Sequence, residues 1–384
     1  MRGALLIFFA LFLLPVLGQR MPIRKVLTGK LRMESRIPAP AALSFHPDTI
    51  TLTFLGDAMM HKEQIRNAHG KGHPAYSFNE YFEPLAGIIR NADLAIINAE
   101  FTLAGKPYSG YPCFSAPDEY ADYLKDSGID IFLTANNHIL DKGWKGLRRT
   151  LAVYSDKGIF TAGTALSAKE DSLCNPLIVP IKGIRIAFVN ATYGTNVHLP
   201  GDSMVVHKLD SSDVAYSMSM AKARGADFII ALPHWGVEYS LKHAKNQLYW
   251  ASFFVRHGAD AVIGTHPHVV QDTQVLGGVP VIYSLGNIIS NMSARNTRIG
   301  LIVTLRIAVS ENRDCTLLEP EYTFTWCARP GAISDSYKTV PVREWMSKEY
   351  EWKNENDYID MSSSYERVKT KTGISDIQKH EENN

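Results

Sequence analysis

Two histidines separated by one residue, His266 and His268, are the clearest chemical feature of the chain. Imidazole is the most common metal-binding side chain. The pair follows the short apolar run 261–263, whose β-branched residues predict a buried strand. Open α/β sheets bind their ligands in the crevice outside the carboxyl ends of the strands. The position of the two imidazoles therefore predicts a metal site, although an isolated pair of this kind could also cap a turn.

Four further apolar runs end in residues that can bind metal ions: Asp57, Glu100, Asn137 with His138, and His234. Loops at the carboxyl ends of parallel strands converge, so we expect these side chains to meet. Carboxylates, imidazoles and an amide oxygen can bind a pair of divalent ions, which lie about 3.5–4 Å apart in two-metal phosphoesterases. A carboxylate is needed between the cations because only a negative group offsets their repulsion. Taken singly, each residue has a structural interpretation as a cap, a buried acid or an interior histidine.

The elements that must position these residues alternate along the chain. Apolar runs predict strands at 51–55, 94–97, 130–133, 184–189, 228–232, 261–263 and 279–283. Helical patterns with a glycine just past each end occur at 117–127, 144–157, 213–224 and 246–256. This alternation predicts an α/β fold with a largely parallel sheet and helices packed outside it. Farther on, residues 300–309 and 317–327 predict an antiparallel strand pair.

The two ends of the chain predict additional segments. A positive start and an apolar run at 4–17, too short for a membrane span of about 20 residues, predict a secretory signal peptide at 1–18. An uncleaved N-terminal anchor is the alternative. Residues 19–48 are predicted to be a lead-in linker, 49–330 the main domain and 331–368 a helical extension. Residues 369–384 lack apolar periodicity and predict a disordered tail.

Charge and cysteine content restrict the possible functions. Loss of residues 1–18 removes Arg2, their only charged residue, and takes the formal net charge from +1 to zero. This balance gives no bulk attraction to nucleic acid or to an anionic membrane. The four cysteines lack a C-x-x-C pattern, so a cysteine zinc site is not predicted. In an oxidising compartment they could pair, with Cys315 and Cys327 bridging neighbouring strands, or they could remain buried thiols.

Several sequence blocks occur together in a specific order between about residues 50 and 291. They are FLGDAM at 54–59, NADL at 91–94 with NAE at 98–100, ANNHILDKG at 135–143, HWGVEY at 234–239, GTHPHVVQ at 264–271 and YSLGN at 283–287. With these blocks the chain resembles the CapA family of bacterial capsule synthesis proteins, a branch of the calcineurin-like metallophosphoesterase superfamily. The resemblance implies a four-layer α/β/β/α sandwich and a role in making or exporting poly-γ-glutamate or polysaccharide.

The resemblance also implies roles for individual residues. It implies two divalent ions, one on Asp57 and His268, a second on Asn137, His234 and His266, with Glu100 between them. His138 is implied as the proton donor to the leaving oxygen, a role suited to imidazole near neutral pH. The mixed imidazole and oxygen ligands favour manganese, iron or zinc over calcium.

Two departures from the superfamily pattern concern the metal ligands. Met59 stands where the first block usually has the histidine of Asp-x-His, and His61 is a candidate substitute. Glu100 stands in place of the usual Gly-Asp-x-x-Asp block, so one metal site is expected to be the weaker. Around the ligands, Asp141 is expected to orient His138. Glu238, Tyr239 and Asn287 are expected to support ligands, to contact substrate or simply to pack.

These features predict a secreted metal-dependent hydrolase that acts on a phosphoester or related bond in an envelope polymer or its lipid-linked precursor. The alternative is a non-catalytic assembly or export factor of capsule synthesis, and a polymer-binding module ranks last. Expected partners are an anionic surface polymer or its precursor and capsule synthesis or export proteins, with no nucleic acid. The signal peptide predicts export across the inner membrane to the periplasm or cell surface.

Overall fold

The computed structural model describes residues 48–70, 75–199 and 204–376. The predicted signal peptide and nearly all of the predicted linker lie outside the described residues. The strands are β1 (Asp48–Ala58), β2 (Leu94–Ala99), β3 (Ile131–Leu133), β4 (Phe160–Ala162), β5 (Thr164–Ala165), β6 (Leu177–Ile181), β7 (Ile184–Thr192), β8 (Val205–Val206), β9 (Phe228–His234), β10 (Ala261–Ile263), β11 (Thr273–Leu276), β12 (Val279–Ile282), β13 (Asn287–Ile289), β14 (Ile299–Val309), β15 (Cys315–Leu317), β16 (Glu321–Ala328) and β17 (Lys338–Pro341).

The helices alternate with these strands as the sequence predicts. They are α1 (Lys62–His69), α2 (Ala86–Arg90), α3 (Asp118–Asp126), α4 (Gly143–Lys157), α5 (Ala168–Cys174), α6 (Ser211–Ala223), α7 (Lys245–Arg256), α8 (Val342–Met346) and α9 (Glu355–Thr372), with short 3-10 turns at Glu83–Leu85 and Glu349–Glu351. The four helices predicted from apolar patterns are α3, α4, α6 and α7, and each lies within two residues of its predicted bounds. In the described part of the chain, no helix is both long and apolar enough to cross a membrane.

Two sheets hold the site. Along the first sheet the strands run β17–β16–β14–β1–β2–β3–β4, with β13 beside β1 and β15 beside β14. The second sheet runs β11–β12–β10–β9–β7–β6. Strands β1 to β4 are parallel in the first sheet, and β7, β9, β10 and β12 are parallel in the second. The predicted parallel strands are therefore correct, but they divide between two sheets.

The sheets pack face to face because alternate strand residues point to opposite sides. Phe54 of β1 and Phe188 of β7 belong to one buried cluster between the sheets. The outer face of the first sheet packs against α3 and α4, where Tyr120 is fully buried. The outer face of the second sheet packs against α6 and α7, for example at Phe254. These layers confirm the predicted α/β/β/α sandwich.

The C-terminal part differs from the sequence predictions in two details. The strand pair of β14 and β16 is present, but a Cys315–Cys327 bridge is wrong and all four cysteines are free. Strands β15 and β16 each pair with β14, at its two ends, so the two thiols are held apart. The boundary of the predicted tail at residue 369 is also too early. Helix α9 continues to Thr372, and Ile374 is buried in the core, while 377–384 lie outside the described residues.

Candidate functional site

The carboxyl ends of parallel strands from both sheets meet at one place. Asp57 is the penultimate residue of β1, Glu100 follows β2 directly and His234 ends β9. The loops after β3 and β10 add the remaining ligand-type residues, namely Asn137, His138, His266 and His268. Each of these seven side chains is at most 4% exposed. The structure therefore brings together all the residues that the sequence nominated for metal binding and proton transfer.

Glu100 lies at the centre of this group. Its Oε1 atom is 3.7 Å from Nε2 of His268 and 4.0 Å from Nε2 of both His138 and His234. Among the described residues Oε1 has no hydrogen-bond partner, although it is buried. A buried carboxylate oxygen without a partner is energetically costly. The arrangement therefore fits a cation that Glu100 and the imidazoles would share.

Two overlapping sets of ligand atoms define what we term the acid–imidazole cluster. Asp57, Glu100 and His268 form its carboxylate half, in which the ligand atoms lie within 4.8 Å of one another. Glu100, His234 and His266 form its imidazole half by the same measure. Glu100 belongs to both halves. This is the donor set and the shared carboxylate that a pair of divalent ions requires.

Hydrogen bonds and charge hold the carboxylate half together. Oδ2 of Asp57 lies 3.2 Å from Nδ1 of His268, which is also 3.0 Å from Oδ1 of Asn287. Burial by itself lowers the pKa of His268, but the charge of Glu100 and the contact with Asp57 raise it to about 9. Burial, and then the charge of Asp57, raise the pKa of Glu100 well above its usual value. Without a bound cation, this half retains protons.

The imidazole half has the opposite protonation. Nε2 of His234 lies 2.8 Å from Oδ1 of Asn137, and its Nδ1 lies 2.9 Å from the Thr265 hydroxyl. Burial and the neighbouring imidazoles lower the pKa of His234 well below its usual value and that of His266 to about 3. Nδ1 of His266 is buried with no partner in the described ranges. Neutral imidazoles are the metal-binding form, so this half is ready to accept a cation.

The loop after β10 holds its histidines in an uncommon backbone conformation. His266 has φ 100° and His268 has φ 58°, a region that non-glycine residues rarely occupy. Such residues cost on the order of 1–3 kcal/mol each and persist where the surrounding structure fixes them. The Tyr239 N–H donates to the carbonyl of Pro267 between them. In this backbone conformation both imidazoles lie within the cluster. The strained conformation supports a functional role for this loop.

His138 is oriented from behind. Its Nδ1 donates to Oδ2 of Asp141 at 2.8 Å, and the same oxygen accepts from the Phe114 N–H. The Phe114 ring packs edge-on against the imidazole, with centroids 4.6 Å apart. Nε2 is left facing Glu100. Asp141 therefore lies where the sequence placed it, as the residue that fixes the His138 ring.

The remaining nominated residues occupy two environments. Asn287 is buried against His268. Glu238 is exposed, yet its carboxylate lies within 4.8 Å of ligand atoms of His266 and His268. Tyr239 is 45% exposed beside Glu238 at the rim. Asn287 can thus support a ligand, whereas Glu238 and Tyr239 are exposed to solvent beside the cluster.

Asn98 is a site residue that the sequence predictions missed. Its amide donates to Oδ1 of Asp57 at 2.7 Å and to Oε2 of Glu100 at 3.0 Å. It also lies 3.4 Å from Nδ1 of His234. One amide group therefore contacts both carboxylates and spaces them. The available signal was strand periodicity, because residues two apart on β2 point to the same side.

The two sequence departures have distinct structural outcomes. Met59 is buried in the apolar layer between the outer face of the first sheet and the helices that cover it. His61 precedes α1, and its Nδ1 lies 3.1 Å from Oε1 of Gln64 and accepts from the Asn291 N–H. Among the described residues it joins none of the groups of potential ligands. The structure gives no support to His61 as a replacement ligand, whereas Glu100 occupies the central position.

Two packed sheets with helices on both outer faces, and a buried acid–imidazole cluster at the strand ends, define a four-layer α/β/β/α protein with a candidate metal site. The family model described as bacterial capsule synthesis protein PGA_cap matches residues 51–292. The chain belongs to this family.

Relatives of known name are similar over much of the chain. Capsule biosynthesis protein CapA of Bacillus anthracis is 26% identical over 278 residues, which cover 67% of this chain and 63% of that protein. The match thus spans less than two thirds of that relative's length. PGA biosynthesis protein CapA of Bacillus subtilis (strain 168) is 27% identical over 297 residues, which cover 73% of this chain and 74% of that protein.

Solved structures with a similar arrangement include two nucleotidases. A putative 5'-nucleotidase from Staphylococcus aureus superposes with a TM-score of 0.48 and 13% identity, covering 83% of this chain and 58% of that one. The NAD nucleotidase of Haemophilus influenzae gives a TM-score of 0.44 and 11% identity, with 85% and 68% covered.

Proposed function

We propose that the chain is a metal-dependent hydrolase that cleaves a phosphoester or related bond in an envelope polymer or its precursor. The observation that carries this proposal is the buried Glu100 Oε1, which has three imidazole Nε2 atoms within 4.0 Å and no hydrogen-bond partner in the described part of the chain. A structural acid would be paired, whereas a shared metal ligand is expected to lie among other donors.

The residues present would hold two divalent ions. Asp57, Glu100 and His268 would bind one ion, and Glu100, His234 and His266 the other, with Asn137 offering an additional oxygen. Bound ions would lower the pKa of a water molecule and stabilise charge on the attacking and leaving oxygens. Manganese, iron or zinc suits this mixture of nitrogen and oxygen donors.

His138 supplies the proton that the leaving oxygen needs. Its Nδ1 is occupied by Asp141, so the proton available to substrate is the one on Nε2. Asp141 keeps the ring oriented and stabilises the charged imidazolium before the transfer. Phe114 excludes water from one side of the ring. Proton donation from a positioned imidazole contributes about 10²–10⁴-fold to rate.

The proposed polymer is supported by the names of relatives, and the proposed location by the predicted signal peptide. Relatives named for capsule or PGA biosynthesis support an anionic envelope polymer, or its precursor, as the substrate, and other capsule synthesis or export proteins as partners. A signal peptide at residues 1–18 would place the mature chain in the periplasm or at the cell surface. The near-neutral net charge fits recognition by specific groups rather than by bulk attraction.

The test combines metal content with turnover. The purified chain, reloaded with manganese, iron or zinc, is expected to hold two ions and to hydrolyse bis-p-nitrophenyl phosphate. His138→Asn is expected to keep both ions and lose about 10²–10⁴-fold in kcat. His69→Asn, which changes an exposed histidine on α1, is the matched control and is expected to leave kcat unchanged. Equal activity of the two variants would refute the assignment of His138.

A non-catalytic assembly or export factor is the second candidate. The buried Met59 favours it, because one histidine ligand of the superfamily pattern is replaced by an apolar side chain. In cells, this candidate predicts normal polymer from the His138→Asn variant and reduced polymer from variants that lose the metal ions. The hydrolase proposal predicts loss of polymer from both kinds of variant.

A further inference from the structure

A second concave feature involves none of the acid–imidazole cluster. A cavity of about 370 Å³ lies between the loop 293–298, the end of β16 and helix α9. Four of its lining residues are Arg295, Arg298, Arg329 and Arg367, and we term it the arginine pocket. Its volume falls in the range typical of small-ligand sites.

One of the four arginines is neutralised and forms a fixed wall. Arg298 donates twice to the Asp357 carboxylate, at 2.6 and 2.7 Å. Its guanidinium also stacks over the Trp326 ring, 4.1 Å from the centroid. A guanidinium with a paired carboxylate and an aromatic contact has its charge satisfied. Arg298 therefore anchors α9 to β16 and shapes the cavity.

The other three arginines form no ion pair with a carboxylate among the described residues. Arg329 donates to the carbonyls of Asn291 and Met292, while its Nε is buried with no partner that the described ranges supply. Arg367 donates to neutral oxygens only, including Oδ1 of Asn296 and the Ser364 hydroxyl. Within the described residues, neither of these arginines nor the exposed Arg295 has a carboxylate at ion-pair distance.

Charge repulsion and helical spacing both bear on this site. Burial and the charge of Arg295 lower the pKa of Arg367, and the charge of Asp360 offsets only part of this effect. Residues 360, 363, 364 and 367 recur at the spacing of one helix face, so α9 presents its serine hydroxyls and Arg367 together. Asp360 is a carboxylate in the lining, and three unpaired guanidinium groups outnumber it. The cavity therefore has positive charge and hydrogen-bond donors already in place.

We propose that the arginine pocket binds an anionic group with oxygen acceptors, a carboxylate or a phosphate. Guanidinium groups match the geometry of both oxyanions and bind them through paired hydrogen bonds. An anion would offset the charge of Arg329 and reduce the repulsion between Arg295 and Arg367. The loop that lines the pocket is linked to the acid–imidazole cluster, because Asn287 contacts His268 and its amide donates to the carbonyl of Thr297 in that loop.

Binding is tested on the full chain with a chelator present, so that the acid–imidazole cluster holds no metal. One probe is a fluorescent decamer of γ-linked glutamate, which carries carboxylates, and the other is tripolyphosphate as a competitor. Arg367→Gln is expected to weaken binding at least about tenfold, because it removes charge-assisted hydrogen bonds. Arg256→Gln, an exposed arginine on α7, makes the same charge change elsewhere and is expected to change binding less than about twofold.

A second pair of variants tests the pocket independently, in case the Arg367→Gln variant does not fold. Ser363→Glu places a carboxylate in the pocket from an exposed position and is expected to abolish binding, while Ser219→Glu on α6 leaves it intact. If tripolyphosphate displaces the decamer at a concentration below that of the decamer, phosphate is the preferred group. If displacement needs a higher concentration of tripolyphosphate, carboxylate is the preferred group. Binding of neither probe, or equal losses in the pocket and control variants, overturns the proposal. None of these readouts depends on hydrolysis, so the two proposals fail separately.

Discussion

The carboxylate half and the imidazole half of the cluster share Glu100 but have opposite electrostatics. In the carboxylate half, Asp57 and Glu100 raise the pKa of His268 to about 9. In the imidazole half, burial and neighbouring imidazoles lower the pKa of His266 to about 3. The comparison teaches that two equally buried histidines can have opposite pKa shifts, because the nearest charged groups decide which protonation state is stable. A cation would displace a proton from His268 in one half and meet neutral imidazoles in the other.

The strongest test of this comparison removes the shared residue. Glu100→Gln is expected to reduce the metal content from two ions to none and activity to background, because both halves lose their central oxygen ligand. Elemental analysis of the purified variant measures the metal content. Retention of one full equivalent would show that Glu100 belongs to a single half.

Variants confined to one half should separate the two sites. His266→Ala and His268→Ala are each expected to lose one equivalent of metal and retain the other. Glu238→Gln is the control, because Glu238 lies near both histidines but is exposed, and it is expected to keep two equivalents. Elemental analysis distinguishes these outcomes, and loss of both ions from either histidine variant would mean that the two halves fill only together.

The residues that orient the histidines should have smaller, half-specific effects. Asn287→Ala is expected to weaken metal binding in the carboxylate half about 10–100-fold, because Nδ1 of His268 loses one of its two partners and keeps only Asp57. Thr265→Val is expected to do the same in the imidazole half through His234. Metal titration of each variant gives both affinities. Equal weakening of both halves by one substitution would indicate general disruption of the site.

The pH dependence should also differ between the halves. Below its pKa of about 9, His268 carries a proton that a metal ion must displace, so manganese affinity of the carboxylate half should rise about tenfold per pH unit between pH 7 and 9. His266, with a pKa of about 3, is already neutral there, so the imidazole half should have the shallower pH dependence, which arises from the raised pKa of the shared Glu100. Metal titrations of His266→Ala measure the carboxylate half alone, and those of His268→Ala measure the imidazole half alone. Equal slopes of affinity against pH in the two variants would contradict the assignment.

The sequence predicted the local elements well because local patterns encode them. Apolar runs and the glycines after helices predicted most of the parallel strands of both sheets, together with α3, α4, α6 and α7, whereas several shorter strands, among them β4, β6 and β17, were not predicted. The division into two sheets does not follow from such patterns, since a parallel strand's partner lies across a helix and a loop. The same limit explains the wrong pairing of Cys315 with Cys327, which assumed that neighbours in sequence pair in space.

The sequence predicted which residues belong to the site better than it predicted how they are arranged. Asp57, Glu100 and His234 could be nominated because each stands at the end of an apolar run. Asn98 has only its spacing from Glu100 as a signal, because an asparagine near a strand end is also typical of a turn and its other contacts are with residues far away in sequence. The positive φ of His266 had no sequence signal, since non-glycine residues rarely adopt it.

The amino-acid sequence by itself determined which chemical groups follow each strand, because strand ends and ligand types are properties of neighbouring residues. Only the tertiary structure decided that Glu100 stands between two sets of ligands with opposite protonation. It also decided that arginines from a loop, from the end of β16 and from α9 face one cavity. The physical reason is that the distances between these groups depend on how sheets and helices pack, and that packing joins residues that the chain keeps far apart.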